Sequence, residues 1–273
     1  MKTYREYSFQ DHKEVYKIID SIVKEFGYDY YLIGANARDI QLYKAGLKPT
    51  RGTADIDFAV MIPSYKHYDE FIITVIANGF KKTKEKYRVI YSKSNTVVDI
   101  LPYGKLAEEY TLNFDEREIE LSILGFEEVG KVKEEFSIDA SFTIPTSPAY
   151  GLIILKLIAW NERKARNKDL TDIRSLFEAG WELYQGELYN ENSPYFDLLD
   201  EEEFDVQYTA ARIMGRKIKP LLDNCKPLKE TIISLLKNEV DNPSLMTVEM
   251  SKGSETARVI MLLTFLLKGI LDD

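Results

Sequence analysis

The sequence predicts an α+β protein in which a mixed sheet with flanking helices is followed by a C-terminal helical domain. Strand-like and helix-like segments alternate up to about residue 145, whereas only helical spacing of apolar residues recurs after residue 165. Pro145 and Pro148 mark the change. We therefore expect two domains, residues 1–145 and residues 146–273.

The N-terminal elements follow from apolar spacing and from the residues that interrupt it. Gly27 and Gly79 close two of the predicted helices. The predicted helices cover residues 11–26, 36–46 and 65–78, and the predicted strands cover 30–33, 55–61, 86–92 and 96–101. The last two strands are joined by a short polar turn and form a hairpin. Apolar and polar residues alternate within residues 116–143, which predicts three or four short strands, including 118–123 and 126–129.

The C-terminal part is predicted to be helical. The helix over residues 148–164 has an almost wholly apolar first half, which indicates burial. Lys156 lies within that half, so it either extends to a cleft or meets a carboxylate, and we favour the cleft. Residues 182–205 are rich in acids, lack Lys and Arg, and are expected to form a loop. The other predicted helices cover residues 169–179, 201–215, 226–238 and 254–271.

Asp55-Ile56-Asp57 is the most informative motif. Side chains two residues apart on a strand leave by the same face, so both carboxylates would point the same way. Like charges side by side repel, and a fold has little reason to align them unless a cation lies between them. Mg²⁺ typically takes one or two carboxylates plus substrate phosphates. The motif therefore predicts a metal site, and two solvated acids at a strand end are the alternative.

Two neighbouring segments favour the metal interpretation. Gly34 separates an apolar strand from a helical segment, and such a junction lets a ligand approach the backbone and the free N–H groups of the helix. An ordinary turn is the alternative. Asp99 is a single carboxylate in an apolar strand, where an unpaired charge would be costly. A salt bridge to Arg38, Arg88 or Lys156 is the alternative there.

In this order the segments resemble the nucleotidyltransferase superfamily of the DNA polymerase β type. The resemblance implies a polymerase-β-like catalytic sheet in the N-terminal domain. It implies that Asp55, Asp57 and Asp99 hold one or two Mg²⁺ ions, with Mn²⁺ as an alternative. One such ion activates the attacking oxygen of an in-line phosphoryl displacement, and the other neutralises the leaving diphosphate. Catalysis would therefore need no covalent protein nucleophile.

A further match extends from Ile144 through Arg163 into residues 166–173. It resembles the lysine-bearing helix and the Lys-Asp-x-x-Asp stretch of the AbiEii-like branch, the toxin-type and DUF1814-related nucleotidyltransferases. The resemblance implies that Lys156 contacts the nucleotide triphosphate and that Asp172 orients this lysine or the substrate. In all, the resemblance covers roughly residues 28 to 180.

The resemblance also implies that the turn at Gly34, Ala35, Asn36 and Arg38 binds nucleotide. The family usually has Ser or a second Gly where this chain has Ala35, and alanine offers no hydroxyl to a phosphate. The amide of Asn36 or the backbone N–H groups would have to replace it. Arg38 occupies the arginine position of a turn that resembles the one in tRNA nucleotidyltransferases and poly(A) polymerases.

Composition excludes several classes of protein. The net charge of −9 argues against broad nucleic-acid binding, although basic stretches at residues 81–88 and 163–174 could receive a triphosphate or an RNA backbone. The single cysteine excludes an intramolecular disulfide, and two distant histidines argue against zinc. We see no signal peptide, and the longest C-terminal apolar run is too short to cross a bilayer. We therefore expect a cytoplasmic protein without membrane contact.

Together these observations predict a Mg²⁺-dependent nucleotidyltransferase that moves an NMP from an NTP to an acceptor hydroxyl. The acceptor would be RNA such as tRNA, a protein or a small molecule. By resemblance, the chain would be the toxin of a toxin–antitoxin or phage-defence pair, with an antitoxin protein as partner. Two alternatives are a catalytically silent NTP-binding module, which Ala35 favours, and a metal-dependent phosphodiesterase or nuclease.

Overall fold

The computed structural model describes residues 7–49, 51–107, 109–114, 119–165, 167–200, 204–251 and 255–272. These residues form two compact units. The first comprises the described residues up to Ile40 together with Lys48–Pro148, and the second comprises Gln41–Leu47 and the described residues from Ala149 onward. Arg166 and the predicted first residues of the elements at 118, 201 and 254 lie outside the described part of the chain.

The first unit contains a seven-stranded mixed sheet. Its strands are β1 (Tyr30–Ile33), β2 (Asp55–Met61), β3 (Phe80–Lys82), β4 (Arg88–Tyr91), β5 (Thr96–Tyr103), β8 (Glu134–Asp139) and β9 (Phe142–Thr146). They are arranged in the order β3-β4-β5-β2-β1-β9-β8. The β2/β5 and β1/β9 pairs are parallel, and the other neighbours are antiparallel. A separate hairpin consists of β6 (Thr111–Phe114) and β7 (Ile119–Ser122).

Helices α1 (Lys13–Phe26), α2 (Gly34–Lys44), α3 (Tyr65–Ala77) and α4 (Phe126–Gly130) accompany these strands. Gly27 ends α1 in the left-handed conformation with φ +67°, and Ser64 caps α3 through its side chain. The division between the two units falls within α2, because Gln41–Leu47 belong to the second unit. The predicted α+β class, with a mixed sheet and a helical C-terminal region, is confirmed.

The second unit is helical in its described part. Its helices are α5 (Ala149–Glu162), α6 (Asn167–Leu188), α7 (Val206–Asp223), α8 (Lys226–Asp241), α9 (Leu245–Ser251) and α10 (Thr256–Leu271). The backbones of α7 and α10 approach closely at two glycines. A Cβ atom on Gly215 would lie 2.2 Å from the carbonyl oxygen of Leu266, and one on Gly269 would lie 2.1 Å from that of Arg212.

Three local predictions are corrected. Residues 126–129 form helix α4 rather than a strand, because Gly125 precedes them with φ +90° and Glu127 and Glu128 favour a first helical turn. Helix α6 continues to Leu188, so the acidic segment begins as helix rather than loop. The helix predicted over residues 169–179 therefore ends nine residues later, and Gly180 lies inside it, where a Cβ atom would lie 2.9 Å from Cε of Met214. Strand β3 and helix α9 were not predicted.

Candidate active site

The three predicted carboxylates share one face of the sheet in the first unit. The parallel register of β2 and β5 pairs Asp57 with Asp99 and pairs Asp55 with Val97. Paired residues on neighbouring strands project to the same side, and so do residues i and i+2 of one strand. Asp55, Asp57 and Asp99 therefore project from one side of β2 and β5, which is the arrangement that the sequence pattern predicts.

The Gly34 turn lies directly against this acidic face. Strand β1 ends at Ile33, which pairs with Asp57, and α2 begins at Gly34 with φ +66°. A Cβ atom on Gly34 would lie 2.0 Å from Oδ2 of Asp57. Both the left-handed backbone and the close carboxylate require glycine at this position. The sequence therefore has a glycine there because Asp57 lies against it.

Asn36 fixes the start of the Asp-x-Asp strand. Its amide nitrogen donates to the backbone carbonyl of Asp55 at 2.6 Å, and its Oδ1 accepts the hydroxyl proton of Tyr16 at 2.8 Å. Nδ1 of His12 lies 3.0 Å from the same Oδ1 and donates to it when protonated there. Burial lowers the pKa of His12, which favours the neutral ring. The predicted contact of Asn36 with nucleotide stays a prediction, because Asn36 is fully buried and its amide bonds within the protein.

Sequence reasoning did not single out His12 or Tyr16 as neighbours of the site. Both lie at the start of α1, about twenty residues before Asn36, and α1 shows only the ordinary spacing of an amphipathic helix. A buried histidine and a buried tyrosine one helical turn apart are the only signal that the sequence offers, and that signal is not specific.

The Arg38 side chain also forms its hydrogen bonds with other groups of the protein. Its side chain is almost completely buried, and its guanidinium donates to Asp39 Oδ1 from both Nε, at 2.9 Å, and Nη2. Nη2 also donates to the carbonyl oxygen of Arg51 at 3.0 Å, which anchors the connection that leads into β2. Ala35 is buried in the first turn of α2, where backbone N–H groups have no partner within the helix. Nucleotide contacts of Arg38 and Ala35 remain predictions.

Asp99 is held by Arg88, one of the three partners that the sequence suggested. These residues face each other in the antiparallel β4/β5 register. Nε of Arg88 donates to Oδ1 of Asp99 at 2.7 Å, and Nη2 donates to Oδ2 at 2.8 Å. The Arg88 side chain is 33% exposed and that of Asp99 is 11% exposed. This bidentate pair raises the pKa of Arg88, so the arginine stays charged.

In the second unit, Lys156 meets carboxylates rather than a cleft, which corrects the preference stated above. Its Nζ donates to Oδ2 of Asp172 at 2.6 Å and lies 3.5 Å from Oδ1 of Asp169. The side chain of Lys156 is 8% exposed and that of Asp172 is 1% exposed. Asp172 therefore has the contact needed to orient the lysine. The contact of Lys156 with a triphosphate stays a prediction.

A family model described as the nucleotidyl transferase AbiEii toxin of a type IV toxin–antitoxin system matches residues 25–222. The chain belongs to the AbiEii nucleotidyltransferase family. The matched segment includes the three carboxylates of the sheet, the Gly34 turn, and both Lys156 and Asp172.

Solved structures that are similar to this AbiEii-family chain include three proteins. The antibiotic-resistance factor ANT(2'')-Ia is 14% identical, with a TM-score of 0.40 over 63% of this chain and 85% of its own. An antigenic nucleotidyltransferase-like protein from Paracoccidioides brasiliensis is 12% identical, with a TM-score of 0.39 over 82% and 93%. The E. coli MS115-1 CdnC:HORMA-deltaN complex contains a chain that is 13% identical, with a TM-score of 0.26 over 90% of each. No curated protein sequence matches the chain.

The donor set of this AbiEii-family protein fits Mg²⁺ in part. Asp55 and Asp57 supply two carboxylates on one strand face, which suits an ion that completes its shell with water and substrate phosphates. Each oxygen of Asp99 already accepts a hydrogen bond from Arg88, so a metal contact would have to use a remaining lone pair or replace one of these bonds. Accordingly, the described residues contain no group of three His, Cys, Asp or Glu side chains arranged to hold a metal ion.

Among the described helices, none is long and apolar enough to cross a membrane.

Proposed function

We propose that this protein is a cytoplasmic, Mg²⁺-dependent nucleotidyltransferase that transfers an NMP from an NTP to an acceptor hydroxyl. The observation that carries the proposal is the register of β2 and β5, which aligns Asp57 with Asp99 beside the Gly34 turn. Membership of the AbiEii nucleotidyltransferase family supports the reaction class. The acceptor would be RNA, a protein or a small molecule.

Each part of the acidic face has a task in this reaction. The first N–H groups of α2 would bind the phosphates of the NTP, and Asp55 and Asp57 would hold the metal. When bound, Mg²⁺ would neutralise phosphate charge and make the acceptor hydroxyl easier to deprotonate. The acceptor hydroxyl would release its proton to solvent and its oxygen would bond to the α-phosphorus, while the bond from the α-phosphorus to the bridging oxygen breaks and diphosphate leaves with that oxygen. The bonds from Asn36 and the contact at Gly34 keep the two carboxylates in position.

The test is incubation of the full chain with each α-³²P-labelled NTP, Mg²⁺ and total cellular RNA. The variant Asp57→Asn keeps the size of the side chain but loses the charge. We expect it to lower transfer by at least about a hundredfold, as for loss of a group that acts on transition-state charge. Asp69→Asn is the matched control, because it makes the same change at an exposed position of α3 in the same unit.

The location of the label decides between the alternatives. Label in RNA or on protein, lost in Asp57→Asn, would support the proposal and identify the acceptor class. NTP binding without diphosphate release would favour a catalytically silent module. Cleavage of RNA without any NTP would favour a phosphodiesterase. Full transfer by Asp57→Asn would refute the proposed role of this carboxylate.

We also propose that the transferase acts as a toxin that an antitoxin protein restrains, because the matching family model carries that description. Induced expression of the wild-type chain should then arrest growth, and expression of Asp57→Asn to the same level should not. Growth arrest by both proteins would separate toxicity from nucleotide transfer. Growth that is unaffected by an active enzyme would remove the toxin role and leave the chemistry in place.

A further inference from the structure

Asp55 has less support from the sheet than the other carboxylate of β2. Asp57 lies between two strands, because β1 and β5 both pair with it. Asp55 pairs with Val97 of β5, but β1 ends at Ile33, two residues short of the position opposite Asp55. Asn36 of α2 takes the place of a strand partner there, since its amide nitrogen donates to the carbonyl oxygen of Asp55 at 2.6 Å. The backbone that carries this carboxylate therefore depends on a side chain of another element.

The partners of Asn36 fix the orientation of its amide. A carbonyl oxygen only accepts hydrogen bonds, so the NH₂ group of Asn36 must face Asp55 and Oδ1 must face away. Oδ1 accepts from the hydroxyl of Tyr16 at 2.8 Å and lies 3.0 Å from Nδ1 of His12. Because Oδ1 cannot donate, Nδ1 of His12 must carry its proton to form this bond. Tyr16, Asn36 and His12 are all buried, so water does not readily replace a bond that is lost.

We propose that Tyr16 and His12 are positioning residues for Asp55. Their donors hold the amide of Asn36, this amide holds the carbonyl of Asp55, and the backbone there sets the direction in which the carboxylate projects. Both residues precede residues 25–222, so the role lies outside the segment that the family model matches. The inference rests on the proposed function, because it concerns the metal ion that Asp55 would hold.

The test compares Tyr16→Phe with the matched control Tyr30→Phe in the full chain. Both tyrosines are buried, and their ring centroids lie 6.1 Å and 5.9 Å from that of Phe58. Each substitution removes one buried hydrogen bond, to Asn36 at 2.8 Å for Tyr16 and to Asp20 at 2.7 Å for Tyr30. A purely structural role of these hydroxyls would therefore give the two variants similar effects.

The first measurement is the affinity for Mn²⁺, a probe for Mg²⁺, by electron paramagnetic resonance. We expect Tyr16→Phe to weaken Mn²⁺ binding by about two- to tenfold, the range that one neutral hydrogen bond can contribute. Tyr30→Phe should leave the affinity unchanged. His12→Leu removes the other donor to Asn36 and should weaken Mn²⁺ binding within the same range, which keeps the test decisive if Tyr16→Phe does not fold.

The second measurement needs neither metal nor nucleotide. The amide of Ile56 belongs to the same peptide group as the carbonyl of Asp55, so its ¹H–¹⁵N NMR signal reports the bond from Asn36. Tyr16→Phe should shift this signal, and Tyr30→Phe should leave it in place. A shifted signal with unchanged Mn²⁺ affinity would overturn the positioning role and leave only a structural one.

A double variant shows whether Tyr16 acts through Asn36. Once Asn36→Ala has removed the amide, Tyr16→Phe should cause no further loss of Mn²⁺ affinity. A loss of the same size in both backgrounds would overturn the proposed route.

Two further outcomes separate this inference from the proposed function. Unchanged Mn²⁺ affinity in Tyr16→Phe and His12→Leu, or equal weakening in Tyr30→Phe, would overturn the positioning role while wild-type nucleotide transfer persists. Absence of both Mn²⁺ binding and transfer in the wild-type protein would instead remove the proposed function, and the positioning role with it.

Discussion

Two ion pairs lie at predicted functional positions, one in each unit, and they differ in hydration. Arg88 and Asp99 meet on neighbouring strands of the sheet, where a third of the arginine side chain remains exposed. Lys156 and Asp172 meet between helices α5 and α6, where both side chains are almost fully buried. The same chemistry of cation and carboxylate is therefore present in a partly hydrated and in a dry environment.

This difference determines what each pair can do. Opening the Arg88–Asp99 pair returns a partly exposed guanidinium to water, which costs less than opening a pair that is buried on both sides, so under the proposed function Asp99 would be the carboxylate that an incoming metal ion could recruit. Opening the Lys156–Asp172 pair leaves a carboxylate buried, which is far more costly. The pair on the sheet is suited to rearrangement during a reaction. The helical pair is suited to hold its unit together and to keep Lys156 in one position.

The largest expected effect is on stability, from Lys156→Met. This change leaves Asp172 and Asp169 buried without this cation, and we expect the free energy of unfolding to fall by about 3–5 kcal/mol. Trp160 and Trp181, the two tryptophans of the sequence, both lie in the second unit. Urea unfolding followed by tryptophan fluorescence therefore measures the unit that contains the pair.

The triple variant Lys156→Met/Asp169→Asn/Asp172→Asn is the control for this interpretation, because Lys156 is ion-paired with both buried carboxylates. If the cost comes from the orphaned charge, removing that charge should restore more than half of the lost stability. If Lys156→Met lowers the free energy of unfolding by less than about 1 kcal/mol, the pair is hydrated in solution. Equal losses in the single and triple variants would assign the cost to packing rather than to charge.

The next effect concerns the metal and comes from Arg88→Gln. This variant frees both oxygens of Asp99, so we expect Mn²⁺, used as a probe for Mg²⁺, to bind several-fold more tightly. The stability of the first unit should also fall, because Asp99 is buried and loses its cation, but the fall should be smaller than in Lys156→Met because Arg88 is partly exposed. Electron paramagnetic resonance of Mn²⁺ measures the affinity directly.

Lys133→Gln is the control for that experiment. It breaks another partly exposed pair of the first unit, with Asp29 at 2.6 Å, and removes the same charge from the unit. It should leave Mn²⁺ affinity almost unchanged. If Arg88→Gln also left the affinity unchanged, Asp99 would not be a metal ligand. Equal tightening in both variants would indicate a general effect of charge.

Patterns along the chain were sufficient to predict the acidic face. Asp55 and Asp57 are two residues apart, and the Gly34 turn precedes them, so local rules of strand and turn already align them. The partners of these groups could not be predicted in the same way. Arg88 reaches Asp99 only through the β4/β5 register, and His12 reaches Asn36 from another helix. Such contacts depend on how distant segments pack, which apolar periodicity does not specify.

The smallest expected effect extends the comparison to Glu128, a buried carboxylate. Among the described residues, no Lys, Arg or His side chain is hydrogen-bonded or ion-paired to it. Burial raises the pKa of Glu128, a backbone hydrogen bond and the charge of Lys131 oppose this rise, and the charge of Glu127 adds to it. The folded protein therefore binds the proton at a higher pH than the unfolded chain does. Stability should fall as pH rises from the ordinary range of glutamate through the raised pKa, because the unfolded chain ionises more easily there. This is the reverse of what a paired carboxylate contributes.

Glu128→Gln should remove this slope and make the protein more stable than the wild type at neutral pH. Calorimetric melting of both proteins between about pH 4 and pH 8 measures the difference, with Glu127→Gln as the exposed, paired control. A wild-type protein with the same pH profile as Glu128→Gln would mean that Glu128 is solvated in solution.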